Sequence, residues 1–318
     1  MLHLRVIAPF QRTEQVVEVF DRTPGVTNVV LLPKAARKPE GDVVLADVAR
    51  EAANTVIDRL KALGLERDGS ITAEDIELSI SRGAAEAEER APGEGDDAVV
   101  WDQFEQRVAL DSRITWAFLA FLAIATQIAA IGVLIPSQIL IVGAMVLGPE
   151  FGAVAAVSFG LLRRRWRLVG GAARTLALGF AAAIAVTLAC ALVSRGLGWI
   201  SPDSLRHHDE VRFIVTPDRW SFIVALLAGA AGVLSITAGK SSALVGVFIS
   251  VTTVPAAGYM ALALALWRWD EVGGSALQLL VNIAGMVVAG TLTLFLQRAL
   301  WSRYGGGRGK GAKGIPEA

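Results

Sequence analysis

Residues 136–162, PSQILIVGAMVLGPEFGAVAAVSFGLL, are apolar enough for lipid yet interrupted near their centre by Gly148-Pro149-Glu150. Pro149 lacks an N–H and disfavours helix at Gly148, so two half-helices are expected to meet over Gly148 to Gly152. Hydrocarbon offers no partners for the backbone groups that such a break frees, so the break must face protein or a wet cavity. It also carries a carboxylate, Glu150. An ionisable side chain at membrane depth is costly, and beside discontinuous helices it marks a candidate site.

The apolar residues, 53% of the 318, are unevenly spread: residues 1–112 are charged and mixed, and 114–300 are not. That division predicts a polar domain followed by a membrane domain. Thirty basic and thirty acidic residues cancel, which gives no electrostatic case for nucleic acid or acidic substrates. Cys190 is the one cysteine, so disulfides and cysteine-built zinc or iron–sulfur centres within the chain are excluded; it reads as a small lipid- or core-facing residue. The N-terminus alternates polar and apolar residues without a continuous apolar run, so no signal peptide is expected and the first domain is placed in the cytoplasm.

Within that domain, residues 2–8 alternate as a strand, 11–20 have helical spacing and 25–32 return to a β-branched run. The cycle repeats with a strand over 42–48, a helix over 51–63 closed by Gly64, and an extended segment over 69–80. The order β-α-β-β-α-β is the ferredoxin-like arrangement. His3 stands alone and reads as structural or solvated. Residues 82–99 read as a charged linker containing glycine and proline, and 101–111 as an amphipathic helix at the membrane surface or running into the first span.

Six crossings are expected: 113–134, the broken element 136–162, 169–193, 222–236, a second broken element over 244–267 interrupted at Pro255, and 276–296. With the N-terminus inside, the Arg163–Arg167 cluster, Lys240 and the basic tail all fall on the cytoplasmic side. Arg174 is near enough to a span start to snorkel. Each half then holds a plain span, a broken one and a plain one, and three crossings per half invert the second relative to the first. The polar loop 195–219 contains His207, His208, Asp209 and Glu210; it is read as solvated, and no metal site is assigned. Gly239-Lys240-Ser241 imitates a phosphate-binding loop, but Leu234 stands where the motif needs glycine and no strand precedes it.

Gly143-Ala144-Met145-Val146-Leu147-Gly148-Pro149, Gly229-Ala230-Ala231-Gly232, the 246–255 segment ending in Val254-Pro255-Ala256-Ala257, and Asn282 together resemble the bacterial membrane family called domain of unknown function 389. The resemblance covers most of residues 105–300. It implies a helical membrane fold with a small N-terminal α/β domain, and it supplies no substrate. After the first proline the family pattern continues with an apolar residue and a second proline, where this chain has Glu150 and Ala153. At the second break one proline stands where the family often has two.

The candidate site gathers Glu150, Asn282, Gly148, Pro149, Ser137, Gln138, Thr252, Thr253 and Pro255. Glu150 reads either as a proton- or cation-coupling carboxylate or as a residue snorkelling to a mouth. Asn282 lines the site or glues helices. The hydroxyls and amides of Ser137, Gln138, Thr252 and Thr253, like those of Gln127 and Ser250, ligate an ion or satisfy carbonyls freed at the breaks. Gly229, Gly232, Gly143 and Gly246 are read as helix-packing positions.

The sequence therefore predicts an α-helical polytopic membrane domain of about six crossings, with two broken helices and an inverted three-plus-three repeat, behind an N-terminal α+β ferredoxin-like cytoplasmic domain. Its bounds are 1–81 for the small domain, 82–112 for linker and amphipathic helix, 113–300 for the membrane domain and 301–318 for a basic disordered tail drawn to lipid heads. The function expected is that of a transporter or permease-like protein for a small solute or ion, in a bacterial plasma membrane with both termini cytoplasmic. The alternative is an oligomeric membrane sensor or scaffold whose small domain binds a ligand or partner. No enzyme, cofactor, metal or nucleic-acid partner is expected, since the spans hold no histidine, no aspartate pair and no well-placed serine–lysine pair. Lipid and further copies of the chain are the expected partners.

Overall fold

The computed structural model describes residues 1–91, 93, 95, 98–201, 205, 219–239 and 251–304, with only the backbone for 301–304. Two compact units divide the chain: Met1–Phe104 with Gln297–Ala318, and Glu105–Leu296.

In the first unit the strands are β1 (Leu2–Ala8), β2 (Val26–Arg37), β3 (Glu40–Val48) and β4 (Ser70–Asp75); the helices are α1 (Thr13–Asp21), α2 (Arg50–Ala62), the short α3 (Leu65–Asp68) and α4 (Arg82–Arg90). The sheet runs β2-β3-β1-β4 with every neighbouring pair antiparallel. That is the split βαβ order anticipated from the sequence. Alternation in β1 buries Leu2, Leu4, Val6 and Ala8, whose register partners in β3 are Val48, Ala46, Val44 and Asp42. Val16 and Phe20 of α1 and Ala53, Val56 and Leu60 of α2 close over the same face. Gly64, in the left-handed region at φ 76°, ends the second helix as expected. His3 is structural: its Nδ1 lies 2.7 Å from Asp47 Oδ1.

Asp42 ties the β2–β3 hairpin to α1. Its carboxylate accepts from the Thr13 hydroxyl at 2.6 Å and from the Lys34 backbone N–H at 2.7 Å. The Thr13 bond first, and the Lys34 amide second, hold its pKa below the usual carboxylate value. A depressed folded-state pKa contributes stability that is complete above the unfolded value and is lost as the pH falls through the folded one. Thr13→Val is therefore expected to move the Asp42 titration upward and to shrink this acid-side loss. Carboxyl-carbon NMR on the variant checks it; an unmoved titration removes Thr13 as the cause.

The linker reading gives way over residues 82–90, which form α4, capped by Ser81. Small residues spaced along it, Ala84 and Ala87, are buried, as are Ala91 and 98–100. Asn54 holds the following segment, donating to Val99 O at 2.7 Å and accepting from Trp101 N–H at 3.1 Å.

The chain continues through α5 (Trp101–Asp111), with Phe104 and Val108 buried at helical spacing. The second unit then contains α6 (Trp116–Leu134), α7 (Gln138–Leu147), α8 (Glu150–Leu162), α9 (Trp166–Gly196), α10 (Arg219–Thr237), α11 (Thr253–Ala265) and most of α12 (Trp269–Tyr304). Four of these, α6, α9, α10 and α12, are long and apolar enough to cross a membrane, and the bent pair α7–α8 makes a fifth crossing if it is one span. Trp116, Trp166, Trp199, Trp220, Trp267 and Trp269 are all exposed and all stand at or beside ends of these apolar helices. Between those ends Ile124, Leu178, Leu227, Leu280 and Leu292 are exposed too. Apolar flanks bounded by tryptophan are the surface of a membrane protein.

The structure moves three sequence boundaries. Pro255 does not interrupt a helix: it is the third residue of α11, in the first turn where a missing N–H costs no intrahelical bond. The first break is confined to Gly148 and Pro149, with a bend of 52° between α7 and α8. The last helix continues to Tyr304, so residues 301–304 belong to it rather than to a disordered tail. His207, His208, Asp209, Glu210, Lys240, Ser241, Gly246, Ser250 and the tail beyond 304 lie outside the described residues.

Side-chain contacts give the helix directions. Thr175 reaches Ser112 O at 2.7 Å, and Gly179 meets Phe118 and Leu122, so α6 and α9 run the same way. A tight turn at Arg163–Arg165, with Arg165 N–H bonded to Gly160 O at 2.8 Å, reverses α8 against α9. Arg195 in the last turn of α9 donates to Ala265 O, the final carbonyl of α11, at 2.5 Å, which aligns α11 with α9. Ala225, Gly229 and Val233 of α10 meet Gly285, Met286 and Gly290 of α12 in rising order, and Ser158 of α8 bonds Val287 O of α12 at 3.3 Å. Thus α6, α9 and α11 point one way, and α8, α10 and α12 the other.

Candidate functional site

Two helix N-termini meet in the second unit. Pro149 caps α8 from a fixed φ and Thr252 caps α11, so neither start contributes its first amides to an intrahelical ladder. Glu150, the first residue of α8, is 6% exposed. Its Oε1 accepts from Thr253 Oγ1, on the first residue of α11, at 2.6 Å. Its Oε2 is buried against Gly148 and has no hydrogen-bond partner. Among the described residues no cationic side chain pairs with it. Each helix start carries about half a positive charge, so two dipoles rather than a lysine or arginine face the carboxyl group here.

Thr252 extends the cluster to α12. Its Oγ1 accepts from Asn282 Nδ2 at 2.9 Å and from Gln278 Nε2 at 3.2 Å. Ser275, Gln278 and Asn282 repeat at i, i+3 and i+7, hence on one face of α12, and all three are buried. Gln278 Oε1 and Ser275 Oγ have no partner. Each unpartnered buried polar atom costs about 1–3 kcal/mol, so three within one cluster are unusual in a purely structural network.

A cavity of about 400 Å³ reaches the same break. Gly148, Pro149 and Gly152 form part of its wall, and the exposed side chains of Arg107, Asp111 and Arg113 another part. Gly152 has Asp111 so close that an added Cβ would lie 2.6 Å from the Asp111 Cβ. Leu110, Phe118, Phe121, Phe151 and Ile236 make most of the remaining wall, so the break borders a cavity that is apolar over most of its lining and polar at one side.

Of the residues named from sequence, Glu150, Gly148, Pro149, Thr252, Thr253 and Asn282 come together, and Pro255 shapes the first turn beneath Thr253. Ser137 and Gln138 do not join them. Ser137 caps α7, accepting from Leu140 N–H at 3.4 Å, and Gln138 is exposed at the far end of a ten-residue helix. At 1.5 Å per residue that helix keeps them about 15 Å from the break. Gly229 and Gly232 are packing positions, as expected: the first faces the Met286 backbone and the second the Phe151 ring. At Gly143 an added Cβ meets nothing within 4 Å among the described residues. Gln278 and Ser275 escaped the sequence reading; their spacing from Asn282 marks a shared helix face but not what that face meets.

Residues 145–288 hold this whole cluster, and they match the family model described as Domain of unknown function (DUF389). An uncharacterized protein of the archaeon Methanocaldococcus jannaschii is 26% identical over 165 residues, which is 52% of this chain and 49% of that protein. The match thus spans about half the length of the relative. No solved structure matches the chain. The break, the paired half-helix starts and the polar face on α12 thus all lie in the part of the chain that is similar to the DUF389 family.

Proposed function

We propose that the second unit is the core of a membrane transporter for a small solute or ion, with its site where α8 and α11 begin. The observation that carries the reading is the Glu150–Thr253 bond, which joins the N-termini of two 13-residue half-helices running in opposite directions. Half-helix ends facing one another across a buried polar cluster are how secondary transporters build ligand sites.

The same reading takes the architecture as six crossings in two inverted halves: α6, α7–α8 and α9, then α10, an element ending in α11, and α12. Matched lengths support it, 19 residues in both α6 and α10 and 13 in both α8 and α11. Opposed directions in all three matched pairs support it further. The arginines at 163–165 and 167, together with the basic tail sequence, favour a plasma-membrane protein with both termini cytoplasmic. The chain carries no enzyme activity in this reading; its partners are lipid and further copies of itself. A scaffold built on the Gly229 face is less favoured, because that face is spent on Met286 and Phe151 of the same chain.

A transport site must be reachable from both sides of the membrane. With the exposed Cys190 replaced by alanine, Thr252→Cys is expected to react with a membrane-impermeant maleimide in both right-side-out and inside-out vesicles. Labelling from one side only, or from neither, overturns the transport reading.

A further inference from the structure

Donors and acceptors in the cluster are unequally used. Thr253 spends its hydroxyl hydrogen on Glu150, while Asn282 and Gln278 each spend an amide hydrogen on Thr252. What stands buried without a partner is Glu150 Oε2, Gln278 Oε1 and Ser275 Oγ: one carboxylate oxygen, one amide carbonyl and one hydroxyl. The carboxylate and carbonyl oxygens can only accept, while the Ser275 hydroxyl can also donate, so a ligand that completes the first two must bring positive charge or donors.

The charge of that ligand is bounded as well. Among the described residues Glu150 is the one carboxylate bonded into the cluster, and they contain no group of three or more histidine, cysteine, aspartate or glutamate side chains able to hold a metal. Divalent calcium sites use several carboxylates and carbonyls, and magnesium keeps most of its water, so neither suits a nearly dry pocket with a single negative charge. A monovalent ion balances the one side-chain charge that Glu150 supplies when ionised.

We infer that Glu150, Gln278 and the Thr252–Thr253 pair form a binding site for a monovalent cation of the alkali type, held by oxygen ligands alone. The inference rests on the transport reading for what the ion does next, since binding by itself moves nothing. Gly148 has its place in the site for a steric reason: a Cβ there would fall on Glu150 Oε2 and within 2.8 Å of Val254 Cγ2, occupying the space beside the unpartnered oxygen.

The test uses the full chain, purified in detergent with choline as the sole monovalent cation. Sodium, lithium or potassium chloride is then exchanged for choline chloride at constant ionic strength while the melting temperature is followed. A saturable rise with at least one alkali ion is expected, absent in Glu150→Gln and shifted to about tenfold higher concentration in Gln278→Leu, as the loss of one ligand to a charged group implies. Should Glu150→Gln fail to fold, equilibrium binding of radioactive sodium, or of rubidium in place of potassium, to the unaltered protein decides alone, with one saturable site expected. A response no different from choline, or saturation that survives Glu150→Gln, overturns the inference. The two readings separate cleanly: two-sided labelling at position 252 without alkali binding retains a transporter and discards this ligand, whereas alkali binding with one-sided labelling retains the site and discards transport.

Discussion

Gly229→Ala is expected to lower the melting temperature of the protein while Gly143→Ala leaves it unchanged or raises it, although both replace glycine inside an apolar helix. Alanine gains about 1 kcal/mol over glycine in a helix interior, and that gain is common to both sites. The surroundings differ. At Gly143 the new methyl group meets nothing within 4 Å, so the gain stands. At Gly229 the methyl would lie on the carbonyl oxygen and within 2.6 Å of the Cα of Met286, atoms of a helix backbone that cannot rotate away. Forcing α10 from α12 costs about 1–3 kcal/mol for an ordinary overpacking, and more where backbone is the obstacle. It also drags on Gly232, which accommodates the Phe151 ring next to Glu150. Thermal unfolding in one detergent, read for both variants, tests the contrast; equal shifts would mean that α10 and α12 are not packed at Gly229.

Thr253→Val keeps the shape of the residue and deletes the hydroxyl that Glu150 accepts from. A hydrogen bond to a charged group is worth about 1.5–3 kcal/mol, and its removal leaves both carboxylate oxygens of Glu150 buried without a partner. The variant is expected to lose stability in that range, and Thr253→Ser, which restores the donor, to recover most of it. A valine variant as stable as the parent would show that Glu150 does not depend on α11.

How much of this was legible in the sequence depended on whether a residue announces itself through its own chemistry or through its neighbours. The break at Gly148-Pro149 was legible because proline removes a donor wherever it stands, and Glu150 because a carboxylate inside an apolar run has no routine explanation. Pro255 was misplaced for a definite reason: proline ends a helix from within but is at home in its first turn, and only the start at Thr253 tells the two apart. Ser275 and Gln278 were missed because α12 is apolar on nearly every side, and nothing in a local pattern says which stripe turns toward Thr252. Ser137 and Gln138 were drawn in by the reverse error, their oxygens serving the start of a helix at its distant end. In the first unit, β-branched alternation displayed the sheet, whereas α4 was hidden by acidic and small residues that bury little beyond Ala84 and Ala87.

The two ends of α11 are secured by different chemistry. Its last carbonyl is gripped by the Arg195 guanidinium, a bond made entirely within the protein, while its first residues are held through Thr252 and Thr253 by the very side chains that a bound ion would recruit. A rod of 13 residues, about 20 Å long, then has a fulcrum at Ala265 and a load at Thr253. Changing the partners at the loaded end by about 2 Å tilts the rod by about 6°, without disturbing the fulcrum.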